Sequence, residues 1–279
     1  MSTQTLDTPA ATAALTDAER FFFDTKGYLV LENFLSADHV ARLLTTLDGC
    51  IQKRRAADRA KRPQTGLSHF KSERSSRLFY ILDDDPLFLE LMDWPAILPY
   101  VHGLLATTKP HHCASDAIVE YGGDFIDRKG EWHIDGHDNG FRNLKRPIPL
   151  LQLKVGYYLS DMTEPWQGNL AVIPGSHHAD AEPDAADRQR RDFFPGVEQV
   201  CAPAGTAILF HNALWHTAAP YSGPERGRTM LYYAYEHPWM IASQEHWGYS
   251  KEFYNQRLSA EQRKFFHGFV FDPPEQRWG

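Results

Sequence analysis

The run LLQLKVGYYLS, residues 150–160, has the alternating pattern of a β-strand that separates two unlike environments. Successive side chains of a strand point to opposite faces. The apolar face carries Leu151, Leu153, Val155, Tyr157 and Leu159. The other face carries Gln152, Lys154, Gly156 and Tyr158. The apolar face predicts packing on a hydrophobic core, and the polar face predicts contact with solvent or with the interior of a barrel.

Similar short runs lie on both sides of this strand, from residue 114 to residue 237. They are rich in β-branched and aromatic residues, and Gly, Pro, Asn and Asp separate them. Strands at such regular spacing are typical of a β-sandwich or barrel. The runs are ASDAIVEYG, EWHIDG, GNLAVIPGSH, GTAILFHNALWHTAAPY and RTMLYYAYEH. We therefore predict a mainly β fold with flanking helices.

Helices are predicted before and after these strands. Thr16 and Glu19 have the spacing of a capping box, and Ser36 caps a long amphipathic helix. We interpret the basic end of that helix, residues 53–62, as a solvated face. The segment SKEFYNQRLSAEQRKFFHGF predicts a C-terminal helical tail. Residues 1–15 are predicted to be a disordered tail, and residues 16–279 a single domain.

The composition argues against several classes of function. The 279-residue chain has a formal net charge of −7, so neither nucleic acid nor an anionic membrane surface is an expected partner. The cysteines Cys50, Cys113 and Cys201 are far apart and lack CxxC spacing, which disfavours a disulfide framework or thiolate zinc site. Neither a secretory signal nor a membrane span is predicted. We expect a cytoplasmic location, and the sequence does not predict an oligomeric state.

The stretch EWHIDGHDNG, residues 131–140, suggests a metal site. His133 and Asp135 project to the same side of a strand, and two histidines with one carboxylate are the usual ligands of iron(II) in oxygenases. By itself this short motif is equally compatible with a structural role. His137 would overshoot the ion because the chain should already be turning there, and we interpret it as a pocket or turn residue.

A third ligand must come from elsewhere in the chain. The stretch FHNALWHTAAPY offers His211 and His216, of which His216 lies nearer to the following strand. A cosubstrate carboxylate would need a basic partner on that strand, and Arg226 and Arg228 lie there.

Three motifs in this order, His133-x-Asp135, GNLAVIPGSHH and LFHNALWH with a following arginine, resemble the phytanoyl-CoA dioxygenase family. These proteins are Fe(II)/2-oxoglutarate oxygenases. The N-terminal FFFDTKGYLVLENFLSADHVARLL also resembles the opening of that family, and the resemblance covers roughly residues 18–240. It implies a double-stranded β-helix, the jelly-roll or cupin-like barrel.

The resemblance also implies the roles of individual residues. His133, Asp135 and His216 would be the catalytic iron ligands, with 2-oxoglutarate and O₂ as cosubstrates. An arginine would anchor 2-oxoglutarate; Arg228 is preferred because it directly precedes the apolar run TMLYYAY, and Arg226 stays an alternative. The implied reaction hydroxylates a small molecule or secondary metabolite and releases succinate and CO₂. Relatives that halogenate lack the carboxylate, so Asp135 disfavours halogenation.

Further residues are expected around the cofactor. If the polar face of residues 150–160 borders the barrel interior, Lys154 and Gln152 would bind the cosubstrate. Glu120 is a similar candidate for a side chain that faces this interior. The polar segment 178–196, with Phe193 near its end, is either a lid or an excursion that never meets substrate. Two other functions stay open: a cupin-type metal hydrolase and a non-catalytic β-barrel binding protein.

Overall fold

The structure is a computed structural model, and it describes residues 14–61, 67–121, 131–136, 141–190, 193, 195–221, 227–240 and 249–266. The strands are β1 (Tyr28–Leu31), β2 (Ser68–Phe70), β3 (Ser76–Phe79), β4 (His111–Tyr121), β5 (Gln152–Tyr158), β6 (Leu170–Val172), β7 (Glu198–Gln199), β8 (Ala207–His211), β9 (His216–Ala218) and β10 (Gly227–Glu236). The α-helices are α1 (Asp17–Lys26), α2 (Ala37–Arg59), α3 (Pro86–Met92), α4 (Leu98–Leu105) and α5 (Ala260–Arg263).

The strands form two antiparallel sheets. A seven-stranded sheet has the order β1-β8-β5-β10-β4-β3-β2, and a three-stranded sheet has the order β7-β6-β9. Apolar side chains of both sheets meet in one buried cluster, which includes Tyr158 and Phe210 from the large sheet and Leu170 and Val172 from the small one. The sheets therefore pack face to face, and the predicted mainly β fold with flanking helices is confirmed.

The two faces of β5 have the environments that its alternation predicts. Leu153, Val155 and Tyr157 are fully buried in the main core, which the large sheet shares with α2, α3 and α4. Tyr158 lies on the opposite face, in the cluster between the two sheets. The polar face of β5 thus points to the interior between the sheets, and Lys154 lies there with it.

The N-terminal helices begin at their predicted caps. Thr16 and Glu19 form the full capping box of α1, and the Ser36 side chain accepts a hydrogen bond from the His39 backbone at the start of α2. Residues 1–13 of the predicted tail lie outside the described residues, whereas Leu15 packs against the main core. Leu15 thus lies against Gly103 of α4, directly before the predicted start of the domain.

The sequence predicts a solvated basic end for α2, but in the structure this end is partly buried. Arg54 is only 1% exposed, and it forms a salt bridge of 2.6 Å with the equally buried Asp84. Helical periodicity directs Arg54 inward while its neighbour Lys53 stays exposed. Arg54 ties α2 to the segment that follows β3.

The C-terminal tail is broken rather than continuous. A short π-helix covers Phe253–Arg257, and α5 starts after it with Ser259 and Gln262 in a second capping box. The predicted residues beyond 266 lie outside the described residues. None of the helices in the described ranges is long and apolar enough to cross a membrane.

Candidate metal centre and adjoining cavity

The structure brings His133, Asp135 and His216 together at one edge of the small sheet. His133 and His216 form an antiparallel bridge, with backbone N–O distances of 3.1 and 3.0 Å in the two directions. One ligand atom from each of His133, Asp135 and His216 lies within 4.8 Å of the other two. Two imidazoles and a carboxylate from distant parts of the sequence therefore converge on one point.

Both histidines present the same ring nitrogen to that point. The Nδ1 atom of His133 lies 2.7 Å from the Glu131 carbonyl oxygen, and that of His216 lies 2.9 Å from the Leu214 carbonyl oxygen. A carbonyl oxygen only accepts, so each Nδ1 carries the proton and donates it. Each Nε2 is left with its lone pair, which is the state that binds a metal ion.

Asp135 is held in place by a residue that the sequence did not single out. Its backbone N–H donates to the Asn212 carbonyl oxygen at 2.8 Å. The Asn212 side-chain oxygen in turn accepts from the backbone N–H groups of Leu151 and Gln152, at 2.9 and 3.1 Å. Asn212 thus joins the Asp135 loop to the start of β5. Nothing in the local sequence distinguishes this asparagine from an ordinary turn residue.

The electrostatics of the cluster suit a divalent cation. Burial alone would raise the pKa of Asp135, but neighbouring positive charge, that of Lys154 foremost, outweighs it and holds that pKa below its usual value. Burial, followed by the nearby His133, lowers the pKa of His216 to about 4. The Asp135 Oδ2 atom is buried without a hydrogen-bond partner in the described part of the chain. An ionised carboxylate beside two imidazole Nε2 atoms is the donor set that iron(II) binds.

The cluster opens into a cavity of about 230 Å³ between the two sheets. Among the described residues, the three candidate ligands line this cavity. The other lining residues are His69, Lys71, Ser75, Ser76, Arg77, Asp116, Ile118, Val119, Glu120, Glu131, Lys154, Leu170, Phe210, Thr217, Ala218, Arg228 and Tyr232. The sequence did not predict the contribution of the β2–β3 hairpin, residues 68–79. That hairpin precedes the barrel strands, and its pairing with β4 depends on register.

Arg228 faces the cavity, as predicted. Its Nη2 donates to the Tyr232 hydroxyl at 2.9 Å, and its Nη1 lies 3.3 Å from Glu120 Oε2. A Cβ atom at Gly168 would lie 3.0 Å from the Arg228 side chain, so this glycine leaves room for it. Alternation along β10 places Tyr232 on the same face as Arg228, a signal that could have identified it. Arg226 lies outside the described residues.

The two other predicted cofactor residues differ in position. Lys154 lines the cavity, and Asp135 and Asp116 raise its pKa despite the opposing effect of burial. Gln152 is not part of the described lining, and its Nε2 donates to Cys113 Sγ at 3.0 Å. The geometry supports a cofactor contact for Lys154 and does not favour one for Gln152. His137 lies outside the described residues.

The described part of the segment 178–196 packs away from the cavity. None of the described residues between 178 and 196 lines the cavity. Phe193 is buried instead against Trp132 and Trp166, with ring centroids 5.4 and 5.1 Å away. The tryptophan that precedes His133 therefore forms a small core with this segment, on the side away from the ligand atoms.

The PGSHH turn supports the distal ligand strand from outside the cavity. The Ser176 hydroxyl accepts from the Trp215 backbone N–H at 2.9 Å, and the His177 ring donates to the Asp24 carbonyl oxygen at 3.1 Å. These contacts hold the PGSHH turn, residues 174–178, against α1 and the residue before His216.

Comparison with known proteins decides the family. The sequence model described as phytanoyl-CoA dioxygenase (PhyH) matches residues 23–230, most of the chain. The chain belongs to the phytanoyl-CoA dioxygenase family. Its members are Fe(II)/2-oxoglutarate-dependent oxygenases, so the predicted family, enzyme class and cofactors are confirmed. A comparison with curated protein sequences gives no match.

Solved structures share the fold at low sequence identity. HygX from Streptomyces hygroscopicus, with nickel and 2-oxoglutarate bound, has a TM-score of 0.62 and 19% identity, over 83% of this chain and 90% of its own. EctD from S. alaskensis, with 2-oxoglutarate and 5-hydroxyectoine, has a TM-score of 0.63 and 23% identity, over 84% of this chain and 85% of its own. SnoK, the carbocyclase of nogalamycin biosynthesis, has a TM-score of 0.59 and 18% identity, over 88% of this chain and 91% of its own. The predicted double-stranded β-helix is confirmed.

Proposed function

We propose that this chain uses His133, Asp135 and His216 as the iron ligands of a 2-oxoglutarate-dependent hydroxylase. The observation that carries the proposal is the convergence of their ligand atoms within 4.8 Å, with both Nδ1 atoms bonded to carbonyl oxygens. HygX and EctD are described with metal or 2-oxoglutarate bound, which supports the same chemistry on this fold. We further propose that the enzyme is a single cytoplasmic domain, residues 16–279.

In this proposal the bound iron and 2-oxoglutarate supply the activation of O₂, with release of succinate and CO₂. Arg228 binds the distal carboxylate of 2-oxoglutarate, since a guanidinium donates two parallel hydrogen bonds to a carboxylate. Lys154 lines the same cavity as the three metal ligands, and the Asp135 carboxylate helps to raise its pKa despite burial. Its ammonium group is therefore placed to attract the carboxylate at the 2-oxo end.

The substrate we propose is a small polar molecule. Beyond the residues already assigned, the described lining is largely polar, with His69, Lys71, Arg77, Asp116 and Glu131. Such walls do not favour a long acyl chain, whose burial depends on apolar contacts. HygX with hygromycin B bound and EctD with 5-hydroxyectoine are solved examples of the fold with small molecules.

Anaerobic titration tests the metal and cosubstrate assignments. Iron(II) and 2-oxoglutarate together should give a weak visible charge-transfer band with the wild-type chain. His133→Ala, Asp135→Ala and His216→Ala should each lose the band and iron binding, and Asp135→Glu should lose them because its longer side chain displaces the carboxylate. His102→Ala on α4, outside the cavity lining, is the control.

The same titration separates the competing functions. A metal hydrolase or a non-catalytic binding protein would give no band with 2-oxoglutarate. A band retained in one of the three alanine variants would remove that residue from the metal site. Succinate release in the presence of pooled polar metabolites would then identify the substrate, and mass spectrometry of the product would distinguish hydroxylation from other oxidations.

A further inference from the structure

A carboxylate of the chain itself occupies the anchor proposed for 2-oxoglutarate. Arg228 and Glu120 lie directly opposite each other in the β10–β4 ladder, and both face the cavity. The Arg228 Nη1 atom is 3.3 Å from Glu120 Oε2, and the side chains are only 6% and 14% exposed. Because the pair is shielded from solvent, the charge of Glu120 acts strongly on the guanidinium.

All three nitrogens of the guanidinium have contacts. Besides Glu120 at Nη1, the Tyr232 hydroxyl lies 2.9 Å from Nη2 and the Met230 sulfur lies 3.2 Å from Nε. A second carboxylate that binds Arg228 through two parallel hydrogen bonds must displace one of these groups. The Glu120 contact is the one to yield, since 3.3 Å is longer than the usual 2.7–2.9 Å of such a charged pair.

We propose that Glu120 competes with 2-oxoglutarate for Arg228 and so sets the affinity of the enzyme for its cosubstrate. This inference rests on the proposed function. The Glu120 carboxylate occupies Nη1 in the absence of cosubstrate, and the distal carboxylate of 2-oxoglutarate displaces it. The affinity that is observed is therefore the difference between two carboxylate contacts at one guanidinium.

The displaced carboxylate has a second cation within reach. Arg77 of β3 lies opposite Ile118, two residues from Glu120 on the same face of β4. Diagonal neighbours at this spacing are about 7–8 Å apart, which long side chains bridge. Arg77 already binds Asp116 at 2.6 Å through Nη2 and has further donors. Displacement of Glu120 therefore does not require the charge to be left unpaired.

Calorimetric titration of 2-oxoglutarate into the anaerobic iron(II)-loaded enzyme tests the competition. Glu120→Gln removes the competing charge, and we expect the Kd for 2-oxoglutarate to fall about tenfold. Glu120→Asp keeps the charge but draws it back from Arg228, so its Kd should lie between those of wild type and Glu120→Gln. This second variant decides the question where the glutamine variant does not fold.

Two controls separate this effect from a general change of the site. 2-Oxopentanoate has the same chain without the distal carboxylate, so its Kd should change less than about twofold in Glu120→Gln. Glu131→Gln removes the same charge from another part of the cavity lining and should have the smaller effect on 2-oxoglutarate.

The affinities of the Glu120 variants test the competition, and the affinity of the wild type tests the proposed function. An equal or weaker affinity for 2-oxoglutarate in both Glu120 variants would overturn the competition and make Glu120 a support for Arg228. An equal gain for 2-oxopentanoate would overturn it as well. A wild-type enzyme that binds iron but not 2-oxoglutarate would instead refute the proposed function, and the inference with it.

Discussion

Two buried arginine–carboxylate pairs in the described part of the chain differ in what surrounds them. Arg54 bonds both oxygens of Asp84, at 3.1 and 2.6 Å, and its Nη1 donates to the Leu67 and Phe79 carbonyl oxygens, each at 3.0 Å. Arg228 has one contact of 3.3 Å with Glu120 and faces a cavity.

The difference separates a structural pair from an exchangeable one. Each nitrogen of Arg54 donates to an oxygen, and both partners are 1% exposed, so no ligand can reach the pair without unfolding this region. Arg228 uses a sulfur and a long ionic contact, both of which a better acceptor can replace. The degree to which a buried arginine is satisfied thus indicates whether it holds the fold or awaits a ligand.

The largest effect is expected where the pair is fully satisfied. Arg54→Leu should lower the free energy of unfolding by about 3–5 kcal/mol, because it leaves the Asp84 carboxylate buried without its cation. Urea denaturation measures the loss. Lys53→Leu, exposed on the same helix, should change the same quantity by less than about 0.5 kcal/mol. Equal losses in the two variants would mean that the Arg54 pair has no special structural role.

In the exchangeable pair, Arg228 and Glu120, a substitution should change the binding of 2-oxoglutarate. Arg228→Gln should weaken the binding of 2-oxoglutarate by about 2–5 kcal/mol, roughly 30-fold or more, because a charge-assisted contact is lost. Titration of 2-oxoglutarate into the iron-loaded variants measures it, with Arg226→Gln as the matched control. Unchanged affinity in Arg228→Gln with a collapse in Arg226→Gln would reverse the assignment and remove Arg228 from the comparison.

The sequence predicts those parts of this arrangement that depend on local pattern. Alternation places Lys154 and Arg228 on inward faces, and cap residues fix the starts of α1 and α2. The spacing of His133 and Asp135, together with the family resemblance, selects the ligand cluster in which His216 joins them. In each case one strand or one helix turn determines which way the side chain points.

What the sequence does not predict depends on pairing between distant segments. Glu120 meets Arg228 only because β4 and β10 pair in one register, and a shift of one residue would separate them. Asn212 reaches β5 and Asp135 through a loop whose path no local pattern describes. The burial of Arg54 depends on the position of Asp84, thirty residues later.

The buried base His211 sharpens the comparison because no counter-charge faces it among the residues that the structure describes. Burial, followed by the nearby His177 and His178, lowers the pKa of His211 from 6.5 to about 3. The unfolded chain therefore binds this proton as the pH falls below 6.5, and the folded chain does not. Stability should fall by roughly 1.5 kcal/mol between pH 6.5 and pH 5 from this group alone.

Urea denaturation of His211→Gln at these two pH values tests the claim. Glutamine still offers an acceptor for the Ala213 backbone N–H but cannot titrate, so the fall in stability should shrink by about that amount. His69→Gln, at an exposed position, should leave the fall in stability between the two pH values as in wild type. A His211→Gln variant with the wild-type pH dependence would show that the unpaired base is not what destabilises the fold in acid.

The smallest effect is expected at the exposed arginine contacts of Glu182, which lies in the segment 178–196. Glu182 is 55% exposed and lies 3.5 Å from Arg146 and 3.7 Å from Arg188. Solvent screens such pairs, so Glu182→Gln should change the free energy of unfolding by less than about 0.5 kcal/mol, no more than Glu164→Gln at another exposed position. A loss above about 1 kcal/mol in urea denaturation would show that these ion pairs, rather than Phe193 in its aromatic pocket, hold the segment against the barrel.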